Sequence, residues 1–169
     1  MPAGSTYTPI ATTTVSNGTT TTVTFSSISG SYTDLVLVGG SLGMTGDGTM
    51  RMRLNSAAGT AYSFTSLYGN GSSALSNRDS NRDNIPLNYN TTLAADNNGS
   101  VVVHFENYSN TTTNKTVLSR FGRAAAGTEA IVGLWRSTAA VTQIDISNQV
   151  GGIYFQSGST FTLYGIASA

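Results

Sequence analysis

The chain has one histidine, His104, in a β-type run two residues before Glu106. Side chains two apart on a strand share a sheet face, so an imidazole and a carboxylate face the same way there. That is two-thirds of a Ser-His-acid arrangement. Serine is plentiful, but none lies in a G-x-S-x-G elbow, the turn that exposes a nucleophile. The expectation is a strand histidine held by hydrogen bonds, no catalytic residue, and no enzymatic activity.

A metal site would need carboxylates alone, because the chain has no cysteine and one imidazole. Asp79 and Asp83 lie four apart in a doubled Asn-Arg-Asp, each directly after an arginine, Arg78 or Arg82. Local ion pairing competes with metal binding there, and no EF-hand pattern occurs. Gly46-Asp-Gly-Thr49 lacks the lysine and the following helix of a phosphate loop. No metal and no cofactor is expected. Arg51, Arg53, Arg120, Arg123 and Arg136 could line a basic face, but nearby acids balance them, and they suit ion pairs between subunits equally well. Tyr62, Tyr68, Tyr89 and Tyr108 could form a sugar-stacking platform, against the simpler expectation of strand packing with the hydroxyls at the rim.

These residues must be positioned by strands. Val23 and Phe25 alternate with Thr22 and Thr24, Met50, Met52 and Leu54 alternate with Arg51 and Arg53, and Val117, Ser119 and Phe121 alternate with Leu118 and Arg120. A period of two marks half-buried strands. Leu35-Val-Leu-Val38 is a continuous apolar run, for which both faces should be covered, and Gly39-Gly40 permits a bulge. Ser16-Asn-Gly18 reads as a hairpin turn. No window sustains helical spacing. The expected fold is all-β: a single antiparallel β-sandwich without substantial helix. Residues 1–15 are expected as an N-terminal arm or edge strand, since Pro9 removes a ladder donor. Residues 16–169 form the sandwich, with an irregular loop at 69–95.

Length and composition agree with one domain. A chain of 169 residues buries about 70% of its unfolded surface and needs no staples. Eight Lys/Arg balance eight Asp/Glu, and charged residues make up 9% of the chain, against about 25% in an ordinary soluble domain. No basic nucleic-acid footprint is present. A nearly neutral surface suits a subunit that packs against neighbours. Nothing resembles a secretion signal or a membrane span, so the several Asn-x-Ser/Thr triplets read as a by-product of composition. No nucleic acid and no membrane is expected as a partner.

The last third reads as three strands: Ala130-Ile-Val-Gly-Leu-Trp-Arg-Ser-Thr138, Val141-Thr-Gln-Ile-Asp-Ile146 and Gly158-Ser-Thr-Phe-Thr-Leu-Tyr-Gly-Ile166. Upstream stand Thr22-Val-Thr-Phe-Ser-Ser-Ile28, Ser31-Tyr-Thr-Asp-Leu-Val-Leu37 and Phe105-x-Asn-Tyr-Ser109. Together they resemble the small β-structured virion proteins of tailed bacteriophages, from about residue 20 to the end. The resemblance implies a jelly-roll-like sandwich and a virion role without catalytic residues, with Gly158 and Ser159 at a turn and Trp135, Phe161, Leu163 and Tyr164 in the core. A lone domain without stalk or fibre repeat points to a capsid decoration or cement protein, a homotrimer bound to the major capsid protein on the capsid surface. The alternative is a tail component, at the fibre tip or baseplate, that contacts tail proteins and host glycan. Expected subunit contacts are Thr6 and Ile10 in the arm and Arg78, Asp79, Arg82 and Asp83 in the loop.

Overall fold

The computed structural model describes residues 6–167, which form strands and no helix. The strands are β1 (Tyr7–Thr14), β2 (Thr22–Phe25), β3 (Asp34–Leu42), β4 (Met50–Leu54), β5 (Tyr62–Gly69), β6 (Ala74–Arg82), β7 (Ile85–Pro86), β8 (Gly99–Phe105), β9 (Lys115–Arg123), β10 (Gly127–Trp135), β11 (Ile144–Asn148) and β12 (Thr160–Ile166). All pairings are antiparallel. One sheet has eight strands in the order β1-β12-β3-β8-β9-β10-β5-β6, the other four in the order β2-β11-β4-β7. The alternating apolar residues of both sheets meet in one core that includes Val23, Leu37, Met52, Val103 and Ile146. The all-β sandwich expected from strand periodicity is the fold observed.

The topology is a jelly roll with an extension. Setting aside β5, β6, β9 and β10, the remaining strands pair as nested partners: β4 with β7, β3 with β8, β2 with β11 and β1 with β12. Successive pairs alternate between the two sheets. This is one long antiparallel hairpin rolled across two layers, the double Greek key of a jelly roll. The other four strands continue the large sheet beyond β8. Their inward residues include Tyr62 and Trp135, stacked with ring centroids 6.0 Å apart.

This topology corrects two expectations. Ser16-Asn-Gly18 is not a hairpin turn, because β1 and β2 belong to different sheets. The Asn17 side-chain oxygen instead accepts bonds from Thr19 and Thr20 and turns the chain between layers. The segment 69–95 is not one irregular loop. Leu67↔Ser76 and Thr65↔Arg78 pair in register, making β6 the sheet edge. A polar strand with charges is what an exposed edge tolerates, and its polarity is what made it read as loop. The arm is an edge strand paired to β12 along Tyr7–Thr14, with Ile10 packed against the core. Residues 1–5 of that expectation lie outside the described residues.

The extension creates a burial problem, because four added strands expose a second inner face. The chain between β6 and β8 covers it. Ile85 fills the space over Gly133, where an added Cβ would sit 2.6 Å from its side chain. Three clamps hold this cover. At its start, Arg53 donates to the Asp83 carboxylate. At its end, Arg123 Nη2 lies 2.6 Å from Asp96 Oδ2. In the middle, the buried Glu129 of β10 accepts from the backbone N–H of Tyr89 at 2.8 Å and of Asn90 at 3.0 Å, and from Asn90 Nδ2 at 2.7 Å.

Glu129→Gln places an amide N–H₂ against backbone donors. It should cost about 1–3 kcal/mol, read as a lowered urea midpoint with little change in slope. An unchanged midpoint would remove the central clamp from this account. The outer clamps predict an acid limb. Burial alone raises the Asp83 carboxyl, but hydrogen bonds from Arg53 and Asn84 outweigh it and hold its pKa below the usual 3.8. The Arg123 hydrogen bond does the same for Asp96. Folded pKa values below the unfolded ones contribute stability that is complete above about pH 4 and is lost as pH falls through the folded values. Asp96→Asn should be less stable at pH 7 and lose less on acidification. Parallel acid limbs for the variant and the natural chain would show that this pair does not couple folding to pH.

Candidate interaction face

The two outer faces of the sandwich differ. On the four-stranded sheet the polar side chains satisfy one another. Asp145 accepts from Thr24 and Ser56 at 2.8 Å and from Gln143 at 2.9 Å, and Arg51 Nε donates to Ser147 at 3.0 Å. Arg53 is committed to Asp83.

The eight-stranded sheet presents apolar rows instead. Cross-strand register aligns Tyr164, Val36, His104, Leu118, Val132, Thr65 and Arg78 across seven strands. The next row runs Val38, Val102, Arg120, Ala130, Leu67 and Ser76. Four of these side chains are well exposed: Leu67 63%, Val132 54%, Leu118 41% and Val38 38%. Single exposed aliphatics are ordinary, but contiguous ones mark interaction surfaces. The expectation that both faces of Leu35–Val38 are covered therefore fails at Val38. The third layer that would cover it is absent among the described residues.

His104 stands in this face among Val36, Val102, Leu118 and Arg120. Its Nε2 is buried without a hydrogen-bond partner, contrary to the expected hydrogen-bonded histidine, because its neighbours across the strands, Val36 and Leu118, carry no polar atom. Glu106 lies in the turn past the end of β8, and no hydrogen bond joins the two. Among the described residues no three His, Cys, Asp or Glu side chains cluster as metal ligands.

A groove of about 650 Å³ crosses the face near β6, between Arg78 on one side and Arg136 on the other. Val132 and Leu134 line its apolar part, and Ser63, Thr65 and Thr116 supply hydroxyls. Arg136 Nη2 donates to Ser63 Oγ at 3.1 Å. Arg78 is exposed on the outward side of β6, opposite Thr65.

The expected contact residues fall at opposite edges of the large sheet. Thr6 and Ile10 lie by β1, the others on and just after β6. Three of the four charged ones are already engaged. Arg82 pairs with Asp79 at 3.0 Å and sits over the Phe64 ring, and Asp83 pairs with Arg53. Arg78 is the one left open outward. The five-arginine basic face does not form, since Arg51 and Arg53 lie on the small sheet and Arg123 turns to Asp96. Nor does the tyrosine platform: Tyr62 and Tyr108 are buried, Tyr68 donates to the Ala126 carbonyl, and Tyr89 packs on Phe64. Tyr164 lies half-buried against Tyr7 on the outer face rather than in the core, while Trp135, Phe161 and Leu163 are core residues.

The outer rows carry no period-two signal in β10. Val132 and Leu134 alternate with Ile131 and Trp135, so both faces of β10 are apolar and periodicity cannot say which is solvent. Leu118 beside Arg120 was the available signal. No protein-family model matches the sequence, and no curated protein matches it.

Proposed function

We propose that the protein is a structural component of a bacteriophage virion, a decoration or cement subunit that binds the major capsid protein through the outer face of its eight-stranded sheet. The observation that carries this reading is the set of exposed aliphatics on neighbouring strands of the outer face, Leu67, Val132, Leu118 and Val38, opposite a small sheet whose polar side chains bond one another. Such a face is unfavourable in water and favourable in an interface, where the aliphatic rows leave solvent. The jelly-roll topology agrees with what the resemblance to small phage virion proteins implies. Low net charge adds little repulsion between copies, and trimeric packing at shell junctions uses closed symmetry. A tail role has less support, because the tyrosines expected to stack on glycan are buried, packed on neighbours or dispersed.

Two measurements test this reading. Quantitative mass spectrometry of purified particles should find the protein at a copy number comparable to the major capsid protein. A few copies per particle would assign it to the tail, and absence would remove the virion role. Leu118→Asp and Val38→Asp should abolish particle binding while costing about 1–2 kcal/mol of stability, as expected for partly covered strand aliphatics, with the sandwich still folded by circular dichroism. Full binding by both variants would move the interface elsewhere.

A further inference from the structure

We propose that the groove between Arg78 and Arg136 seats an extended, carboxylate-bearing segment of a different protein, with its acid between the two guanidiniums and an apolar residue two positions away on Val132 and Leu134. The partner chemistry deepens the virion reading, and it rests on that reading only for where the partner is found.

The inference starts from which charges are already committed. Asp79, Asp83 and Asp96 pair with arginines, Glu129 and Asp34 hold backbone amides, and Asp145 holds hydroxyls and an amide. The two remaining acids, Asp47 and Glu106, lie in exposed turns. On the cation side, Arg51, Arg53, Arg82 and Arg123 have carboxylate partners, and the buried Lys115 donates to the Thr113 and Thr138 carbonyls. Among the described residues the Arg78 and Arg120 side chains have neither hydrogen bond nor ion pair, and the Arg136 side chain bonds a serine hydroxyl. All three open arginines lie on the large sheet's outer face or at its rim, and the one acid lining the groove, Asp79, is already held by Arg82 at 3.0 Å.

A groove with two underused guanidiniums, hydroxyls and an aliphatic wall fits an amphipathic acidic segment. Guanidinium recognises carboxylate by paired N–H donors, and alternate side chains of an extended strand reach alternate pockets. Two copies face to face would oppose arginines to arginines. This chain's own open acids sit in turns and offer no extended segment. The charge pattern therefore favours a different protein over a second copy.

The test uses the full chain labelled with ¹⁵N and two extended peptides, Ac-VSESV-NH2, which puts the acid and both valines on one face, and its glutamine counterpart. The acidic peptide should shift the side-chain Nε–H signals of Arg78 and Arg136 and the amides of Thr65 and Val132. It should bind at least about tenfold more tightly than the amide peptide, which corresponds to 1.4 kcal/mol. Arg78→Gln and Arg136→Gln should each erase that preference, while Arg120→Gln, outside the groove, should keep it. Equal binding of the two peptides, or shifts away from the groove, would overturn the proposal. Acetate binding as tightly as the acidic peptide would make this a free-anion site, and the same shifts appearing with protein concentration alone would make the occupant a second copy. Either result overturns it. Particle copy number reports separately on the virion role, so a failed peptide test leaves that reading standing and the reverse also holds.

Discussion

A sheet cannot be widened without something to lie beneath it. The jelly roll buries four strands against four, and β9, β10, β5 and β6 then carry the large sheet past the small one. Their inner residues Phe64, Ile131 and Trp135 would meet water if the chain after Asp83 did not fold back under them. That cover has almost no ladder of its own, since β7 pairs through two residues. Beyond a Gly48↔Leu93 bridge and backbone bonds from Leu87 to Met50 and from Met44 to Ala94, it is held by side chains: a carboxylate at each end and the buried Glu129 in the middle. Glu129 has no cationic partner among the described residues. Its charge is compensated by backbone and amide N–H groups that themselves needed acceptors, so one buried acid resolves two polar deficits at once.

Strand identity was legible wherever one face was polar. Met50-Arg-Met-Arg-Leu54 and Lys115 to Arg123 declare their buried sides, and the structure places them accordingly. Legibility fails in two opposite ways. β6 is polar on both faces because it is the sheet edge, so it resembled loop. β3 is apolar on both faces because one side meets the core while Val38 lies on the outer surface, so the composition of Leu35–Val38 resembles full burial. Both errors arise at places where a strand's environment is not the half-buried one that alternation encodes.

Long-range pairing was illegible for a related reason. Ser16-Asn-Gly18 carries hairpin chemistry, yet β1 pairs with β12 at the far end of the chain. A turn motif fixes local direction, while the rolled topology fixes partners. The same holds for the doubled Asn-Arg-Asp. Adjacent arginine and aspartate suggested pairing within each repeat, but neighbouring side chains on a strand point to opposite faces. Alternation also separates residues three apart, and it is the bulge at the end of β6, with Asn81 at φ 58°, that lets Asp79 meet Arg82, while Asp83 meets Arg53 across the sandwich.

The charges separate support from recognition. Every arginine whose carboxylate partner is present works inside the fold: Arg53 and Arg123 clamp the cover, and Arg82 settles the edge strand against Phe64. With so few charges in the chain, leaving Arg78, Arg120 and Arg136 on one face without acids is a large fraction of the total. Unpaired surface arginines add little to the stability of the lone domain. They stand beside exposed aliphatics on the same face. The small sheet's polar side chains are hydrogen-bonded to one another, so the two outer faces differ: one is internally paired, and the other leaves aliphatic side chains and arginines toward water.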